Sequence, residues 1–299
     1  MTRRGWLLFL AMCVIWGVPY LFIRVAVKHV EPGTLVFFRT GGAAVLLLPF
    51  ALARGLIKPV LGHWRAVLLF SVVEVMVPWV LLSDAERHLT SSLAGLLVAA
   101  VPLIGAVLAL ISPHGDRFGQ LQLGGLFVGL VGVACLVGLD FGDLNTVAIL
   151  EMLVVSIGYA AGPLVLSRFL SDLPGLGVMA CCMTVSTVCL SPFVFVQPPT
   201  SMPANAIWSI IVLAAVCTAL AFTLFFQLVA EIGPTRCTII TYVNPAVAVL
   251  LGVLVLGEHL TIGMLIGFPL ILVGSVLAAR KSPPQVELPP EPAAAAAAV

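Results

Sequence analysis

Apolar residues in this chain come in long unbroken runs, separated by short polar breaks, with neither the alternation of half-buried strands nor the one-sided stripe of surface helices. Each run is close to the ~20 residues that an α-helix needs to cross the hydrocarbon core of a bilayer. Taken in order, the runs predict ten spans at about 6 to 27, 34 to 54, 65 to 86, 91 to 111, 119 to 139, 146 to 168, 175 to 197, 206 to 230, 236 to 256 and 261 to 279. The expected fold is therefore all-α and integral to the membrane, with very short connections. Composition sharpens this. Of 299 residues, 61% are hydrophobic and 9% are charged, against about 25% charged in a typical soluble domain, so no sizeable water-facing domain can be built. The opening MTRRGWLLFLAMCVIWG has the basic start and apolar run of a signal peptide. No small-x-small cleavage site follows through Val27, so it is expected to remain as the first span.

Basic residues orient the spans, because Lys and Arg accumulate in cytoplasmic loops. Arg3, Arg4, Arg54, Lys58, Arg65, Arg117, Arg168, Arg236, Arg280 and Lys281 fall on the side of the N-terminus, and the other side holds Lys28 and Arg87. Both termini are thus expected in the cytoplasm, with the protein in the cell membrane. The tail SPPQVELPPEPAAAAAAV is Pro/Ala-rich and is expected to be disordered.

The two halves repeat. Pro19 matches Pro163, Arg24 matches Arg168 and Trp64 matches Trp208 at a separation of 144, while Pro49 matches Pro192, Pro102 matches Pro245 and Gly124 matches Gly267 at 143. This divides the chain into a first five-helix repeat (1–140), a second (141–280) and the tail (281–299). Five crossings are odd, so the second copy enters from the opposite face, giving an inverted repeat of the kind that supports alternating access.

On these residues the chain resembles the EamA-type branch of the drug/metabolite transporter superfamily. The first half carries WGVPYLFIRVAVKHVEPGTLVFFRTGGAAVLLLP, and the second TRCTIITYVNPAVAVLLGVLVLGEHLTIGMLIGFPLILVGSVL, in which Pro245, Gly257, Glu258, Thr261, Gly267 and Gly274 sit where that pattern expects them. The resemblance implies secondary transport, often export, of small metabolites such as amino acids, with a central cavity between the repeats. The first half departs at HGDRFGQ, with Asp116 near the place of Glu258. Glu258 reads as a helix-end residue beside the N-terminus of span ten, where a carboxylate suits the helix dipole.

Polar groups at bilayer depth are the default functional candidates. Glu74 in LLFSVVEVMVPWVLL lies about ten residues into span three, roughly 15 Å deep. Arg39 is expected to reach outward toward Asp84 or Glu86, leaving Glu74 unpaired. Glu74 then reads as a proton-exchanging carboxyl or a partner for a substrate ammonium group, or else as a permanently protonated residue bonded to a neighbouring helix. Pro78 removes the N–H that the Glu74 carbonyl would meet in an α-helix. In the second repeat Thr218 replaces Glu74 and Phe222 replaces Pro78. Pro19, Pro163, Pro102 and Pro245 predict matched helix breaks or hinges on the first and fourth spans of each half. Trp16, Tyr20, Trp79, Tyr159, Tyr242 and Asn244 supply aromatic and amide surface near mid-depth, suited to a moderately apolar, zwitterionic or aromatic small molecule. Trp6, Trp64 and Trp208 read as interfacial anchors, and Glu151 as a rim residue.

The expected partners are a small-molecule substrate and the lipid bilayer. Gly125-x3-Gly129 and Gly263-x3-Gly267 suit close helix packing within the fold or a homodimer contact. No basic stripe with aromatics points to nucleic acid. The seven cysteines lie in or beside apolar runs with no ligand spacing, so neither metal, cofactor nor disulfide framework is expected. No Walker motif makes ATP a direct energy source. A membrane enzyme would need clustered His, Asp or Glu at an interface, but the five histidines fall on five different connections. A channel or accessory protein is the remaining alternative.

Overall fold

The computed structural model describes residues 2–111, 119–138, 145–199, 201–233, 237 and 239–278, and the regular elements among them are all helical. Asp116, Arg117, Arg236, Arg280, Lys281 and the tail 281–299 lie outside the described residues. Ten apolar helices follow one another: α1 Arg3–Ala26, α2 Pro32–Ala53, α3 Trp64–His88, α4 Ser91–Leu108, α5 Gln120–Val137, α6 Thr146–Phe169, α7 Gly175–Val196, α8 Ala204–Ile232, α9 Ile240–Leu256 and α10 Ile262–Ala278. The first eight are long and apolar enough to cross a membrane. The last two have 17 residues each, the short end of what a bilayer accepts. Odd-numbered helices start on the near face, where α1 begins, and even-numbered ones on the far face.

Packing follows the repeat. The main neighbours are α5 with α10, α2 with α7, α3 with α6, α1 with α8 and α4 with α9, while α9 also meets α1 and α4 meets α6. Exchanging the halves maps α3–α6 onto α8–α1 and α4–α6 onto α9–α1, so the packing carries a two-fold relation. Each of these pairs joins one half to the other. The halves interlock and share their core, with Met12, Ile23, Leu35, Leu96, Leu103, Met152 and Met183 fully enclosed. Leu7, Val45, Phe127 and Leu254 point outward, as the lipid side requires. Trp6, Trp64 and Trp208 are likewise exposed at helix ends.

Lipid tails are as apolar as leucine, so backbone fit rather than hydrophobicity decides which membrane helices pair. Between α5 and α10 the backbones touch. A Cβ added to Gly267 would lie 2.7 Å from the Gly132 carbonyl oxygen, and one on Gly274 would overlap the Gly129 backbone. Gly125 abuts the Ala278 nitrogen in the same seam. The small-residue spacings are therefore used inside the fold. Between α2 and α7, Thr34 Oγ1 donates to Gln197 O at 3.1 Å and Gly33 sits under the Phe193 ring. Several other hydroxyls bond their own helix, as Ser71 does to Val67 O at 2.7 Å and Ser83 to Trp79 O at 2.6 Å, which removes an unmet donor from an apolar setting.

The matched helix breaks expected at prolines appear in one repeat only. The first span bends at Val18 before Pro19, and the fourth is interrupted at Ala99 and Ala100 before Pro102. Their counterparts Pro163 and Pro245 lie inside continuous helices. A proline removes one hydrogen bond. α6 is supported along that stretch by α3, which packs against Gly158 and Gly162.

Glu258 is also placed differently from the expectation. Gly257 adopts a left-handed conformation (φ 68°) and Glu258 N donates back to Gly252 O at 3.0 Å, a turn that only glycine makes without strain. This turn points the Glu258 carboxylate at the N-terminus of α4, where it accepts from Ser91 N at 2.8 Å, Ser92 N at 2.9 Å and Ser92 Oγ at 2.5 Å. The N-terminus of α10 is capped by Thr261 instead, which accepts from Met264 N at 3.2 Å. One repeat thus caps a helix of the other, joining carboxylate to free N–H groups and helix dipole. We predict that Glu258→Ala costs about 2 kcal/mol of stability, as expected for lost hydrogen bonds to a charged group, and that Glu258→Gln costs less. Thermal unfolding in detergent measures this, and an unchanged midpoint for Glu258→Ala contradicts the assignment.

Candidate functional site

The two repeats meet polar group to polar group in the middle of the bundle, and the local backbone prepares the meeting. α3 and α8 each contain a π-helical turn, Ser71–Met76 and Ala215–Leu220, matched position for position at a separation of 144. Single π turns inside α-helices are uncommon and frequent at functional sites. The α8 turn forms with Phe222 where α3 has Pro78, so the proline does not cause it. In α3, Val77 N bonds Val72 O, five residues back. Continued by one residue, that register assigns the missing Pro78 N–H to Val73. The Val73 carbonyl, not that of Glu74, is the acceptor Pro78 leaves unmet, and it lies against Gly158 of α6.

Glu74 projects from the α3 turn onto α6. Its carboxyl lies where a side chain at position 162 would stand, so any residue other than glycine there would displace it. Its Oε2 is enclosed and has no hydrogen-bond partner among the described residues. Cys182 of α7, itself fully enclosed, lies on the other side within electrostatic reach.

Arg39 corrects the sequence expectation most. It does not reach outward. Its residue surface is 6% exposed, and its guanidinium carbon sits 3.6 Å from the centre of the Trp79 ring. Its Nε donates to Thr218 Oγ1 at 3.1 Å. Thr218 accepts this bond while donating to Leu213 O at 2.8 Å, five residues back along the π turn. Thr218 occupies the register position of Glu74. In the register set by Pro49 and Pro192, Arg39 corresponds to Cys182. The repeat therefore relates two half-sites: Arg39 hydrogen-bonded to Thr218 in one, and Cys182 within electrostatic reach of Glu74 in the other. One carries a cation and the other a carboxyl.

Tyr20 of α1 is buried within electrostatic reach of Arg39, and Tyr159 of α6 is within electrostatic reach of Arg39 and Glu74 and shares a side-chain hydrogen bond with Trp79. Thus Tyr20, Trp79, Tyr159 and Glu74, all singled out by sequence, converge, with Arg39 and Thr218 added by the structure. Glu86 stands further toward the far face, fully enclosed, with both carboxyl oxygens unpartnered among the described residues. Its main-chain oxygen accepts from Arg24 Nη1.

Trp16, Tyr242 and Asn244 go elsewhere. Trp16 packs on Phe225 and Phe222 of α8, with ring centres 4.8 Å and 5.8 Å away. With its amide nitrogen turned to the carbonyls, Asn244 donates to Cys13 O at 3.0 Å and Ile240 O at 3.1 Å, fastening α9 to α1 beside Gly17. Tyr242 is half-buried on α9. A separate apolar crevice of about 580 Å³ between α2 and α7, lined by Phe37, Gly41, Gly42 and Val188 among others, opens beside exposed Val45 toward the lipid. Its polar lining is Thr184 and Thr187, neither of which belongs to a half-site.

Comparison with known proteins bears on what such a bundle does. A sequence profile described as the EamA-like transporter family matches residues 3–138 and again 146–280. The chain is 28% identical over 257 residues to the uncharacterized inner membrane transporter YedA of Escherichia coli (strain K12), covering 84% of this chain and 82% of that one. An uncharacterized transporter of Archaeoglobus fulgidus is 22% identical over 290 residues, covering 94% and 99%. One solved crystal structure superposes with a TM-score of 0.65 at 18% identity, covering 93% of this chain and 97% of the other. At that identity the likeness speaks for the fold alone.

Proposed function

The chain belongs to the EamA-like transporter family, and from that premise we propose that it is a secondary transporter that moves small amino-acid-like or drug-like metabolites by alternating access, with Glu74 exchanging a proton during the cycle. The observation that carries this reading is the pair of half-sites between inverted repeats. Arg39–Thr218 and Cys182–Glu74 occupy corresponding positions on helices that face opposite ways. Two similar halves closing on opposite faces give two arrangements of comparable energy around a shared site. Membrane solvates the rest of the bundle, so the polar site is where a solute can exchange water for protein groups.

In this reading the near face is cytoplasmic, the membrane is the cell membrane, and export is the physiological direction. The bends at Pro19 and Pro102 supply points where the first repeat can flex. Glu74 lies against bare glycine backbone at Gly162 with one oxygen unpartnered, so that oxygen is available to a proton, water or solute. Opening one face would let it release the proton there. The test is flux into proteoliposomes of purified protein across a panel of amino acids, amines and carboxylic acids. Substrate-dependent flux that responds to an imposed pH gradient is expected. Empty-liposome rates across the whole panel would remove the transporter mechanism.

A further inference from the structure

We propose that Arg39 is the anion-binding residue of the substrate site and takes the carboxylate of the transported molecule, whose apolar body lies on Trp79, Tyr20 and Tyr159. This inference rests on the transporter reading and names the chemistry that reading leaves open. A buried guanidinium must be paired, because an unpaired charge at bilayer depth is costly. Arg39 is nine-tenths buried, yet among the described residues the ion pairs are those of Arg87 at the far surface, to Glu31 and Asp84. No described carboxylate oxygen comes within 4.0 Å of Arg39. A guanidinium has five N–H donors in a planar fork that fits a carboxylate side-on. Here Nε serves Thr218, and the remaining donors make no hydrogen bond to described protein groups.

The surroundings hold the fork still. Trp79 covers one face of the guanidinium, a contact that stabilises the cation without using its donors. Thr218 fixes Nε, and its own hydroxyl proton is committed to Leu213. The edge that carries Nη1 and Nη2 is left for a ligand. Glu86 and Tyr159 lie within electrostatic reach of Arg39. The other half-site, with a carboxyl and a thiol, offers an anion nothing. The carboxylate therefore has one place to bind.

The test uses the purified full chain in detergent and thermal unfolding with phenylalanine, leucine and 3-phenylpropionate, each beside its primary amide, which lacks the carboxylate. The carboxylates are expected to raise the unfolding midpoint and the amides to leave it unchanged. Arg39→Gln is expected to weaken carboxylate binding at least tenfold, and Arg39→Lys, which keeps the charge and loses the fork, to retain part of it. The wild-type comparison of acid with amide needs no variant, so a poorly folding Arg39→Gln does not blunt the test. Equal shifts from acids and amides, no shift from any acid, or full binding by Arg39→Gln would each overturn the inference. Carboxylate binding through Arg39 with no flux in proteoliposomes would leave this site standing and remove the transporter reading. Flux indifferent to Arg39 would do the reverse.

Discussion

Glu74→Gln is expected to abolish pH-driven accumulation of substrate while leaving the fold and simple exchange intact. The amide keeps the size of the carboxyl and its place against Gly162, so packing between α3 and α6 is preserved. It cannot carry a proton. If proton release from Glu74 is what couples the cycle to a gradient, the initial rate of uphill uptake falls by about tenfold or more, equivalent to about 1.4 kcal/mol or more on the limiting step. Exchange of labelled for unlabelled substrate at equal pH continues, because that half-cycle needs no net proton movement. The diagnostic quantity is the pH profile: wild type varies across the profile and Glu74→Gln is flat. A variant that keeps the wild-type profile means that Glu74 is a packing residue and the coupling group lies elsewhere.

Gly274→Ala carries the largest expected stability effect. The added methyl would overlap the Gly129 nitrogen and α-carbon, and backbone cannot step aside as a side chain can. α5 and α10 must separate along their seam, at a cost of about 3 kcal/mol, the upper range for overpacking a tight contact. Gly124→Ala on α5 is the control. Nothing lies within 4 Å of its added methyl, and replacing a mid-helix glycine gains about 0.5–1 kcal/mol. Thermal unfolding of the two variants should therefore move in opposite directions. Parallel shifts would mean that α5 and α10 do not meet through their glycines.

Why the fold was readable and the site only partly so comes down to which effects are local. Ten runs of apolar residues need nothing beyond bilayer thickness to become ten helices, and helix ends fell within a few residues of the polar breaks. Scarce residues such as Pro19 and Pro163 marked the repeat because no local rule would place them in register. Matching in sequence did not make environments equal. Gly124 and Gly267 share a register position, yet one faces open space and the other the Gly132 carbonyl.

The central residues divide along the same line. Glu74 was visible because a carboxylate inside an apolar run has no local explanation. Arg39 was missed because it has one: a long side chain near a helix end can reach the surface. What holds it inward is Trp79 on α3 and Thr218 on α8, neighbours supplied only by the tertiary fold. A sequence signal did exist, since Arg39 corresponds in register to Cys182 just as Glu74 corresponds to Thr218. The same break in the duplication that drew attention to one charge applied to the other. Glu258 shows the reverse case. Its helix-capping chemistry was legible, and the helix it caps was not, because that helix belongs to the other repeat.

Alternating access requires a carrier that exposes one site to one face at a time. Counterflow measures that directly: proteoliposomes are loaded with a high concentration of an unlabelled substrate found in the flux panel, and a trace of labelled substrate is added outside. The account predicts a transient overshoot of label inside, above its outside concentration, lost when the Arg39 half-site is disabled by Arg39→Gln. Label that rises only to equilibrium, with no overshoot in the wild-type protein, would describe a channel and contradict alternating access.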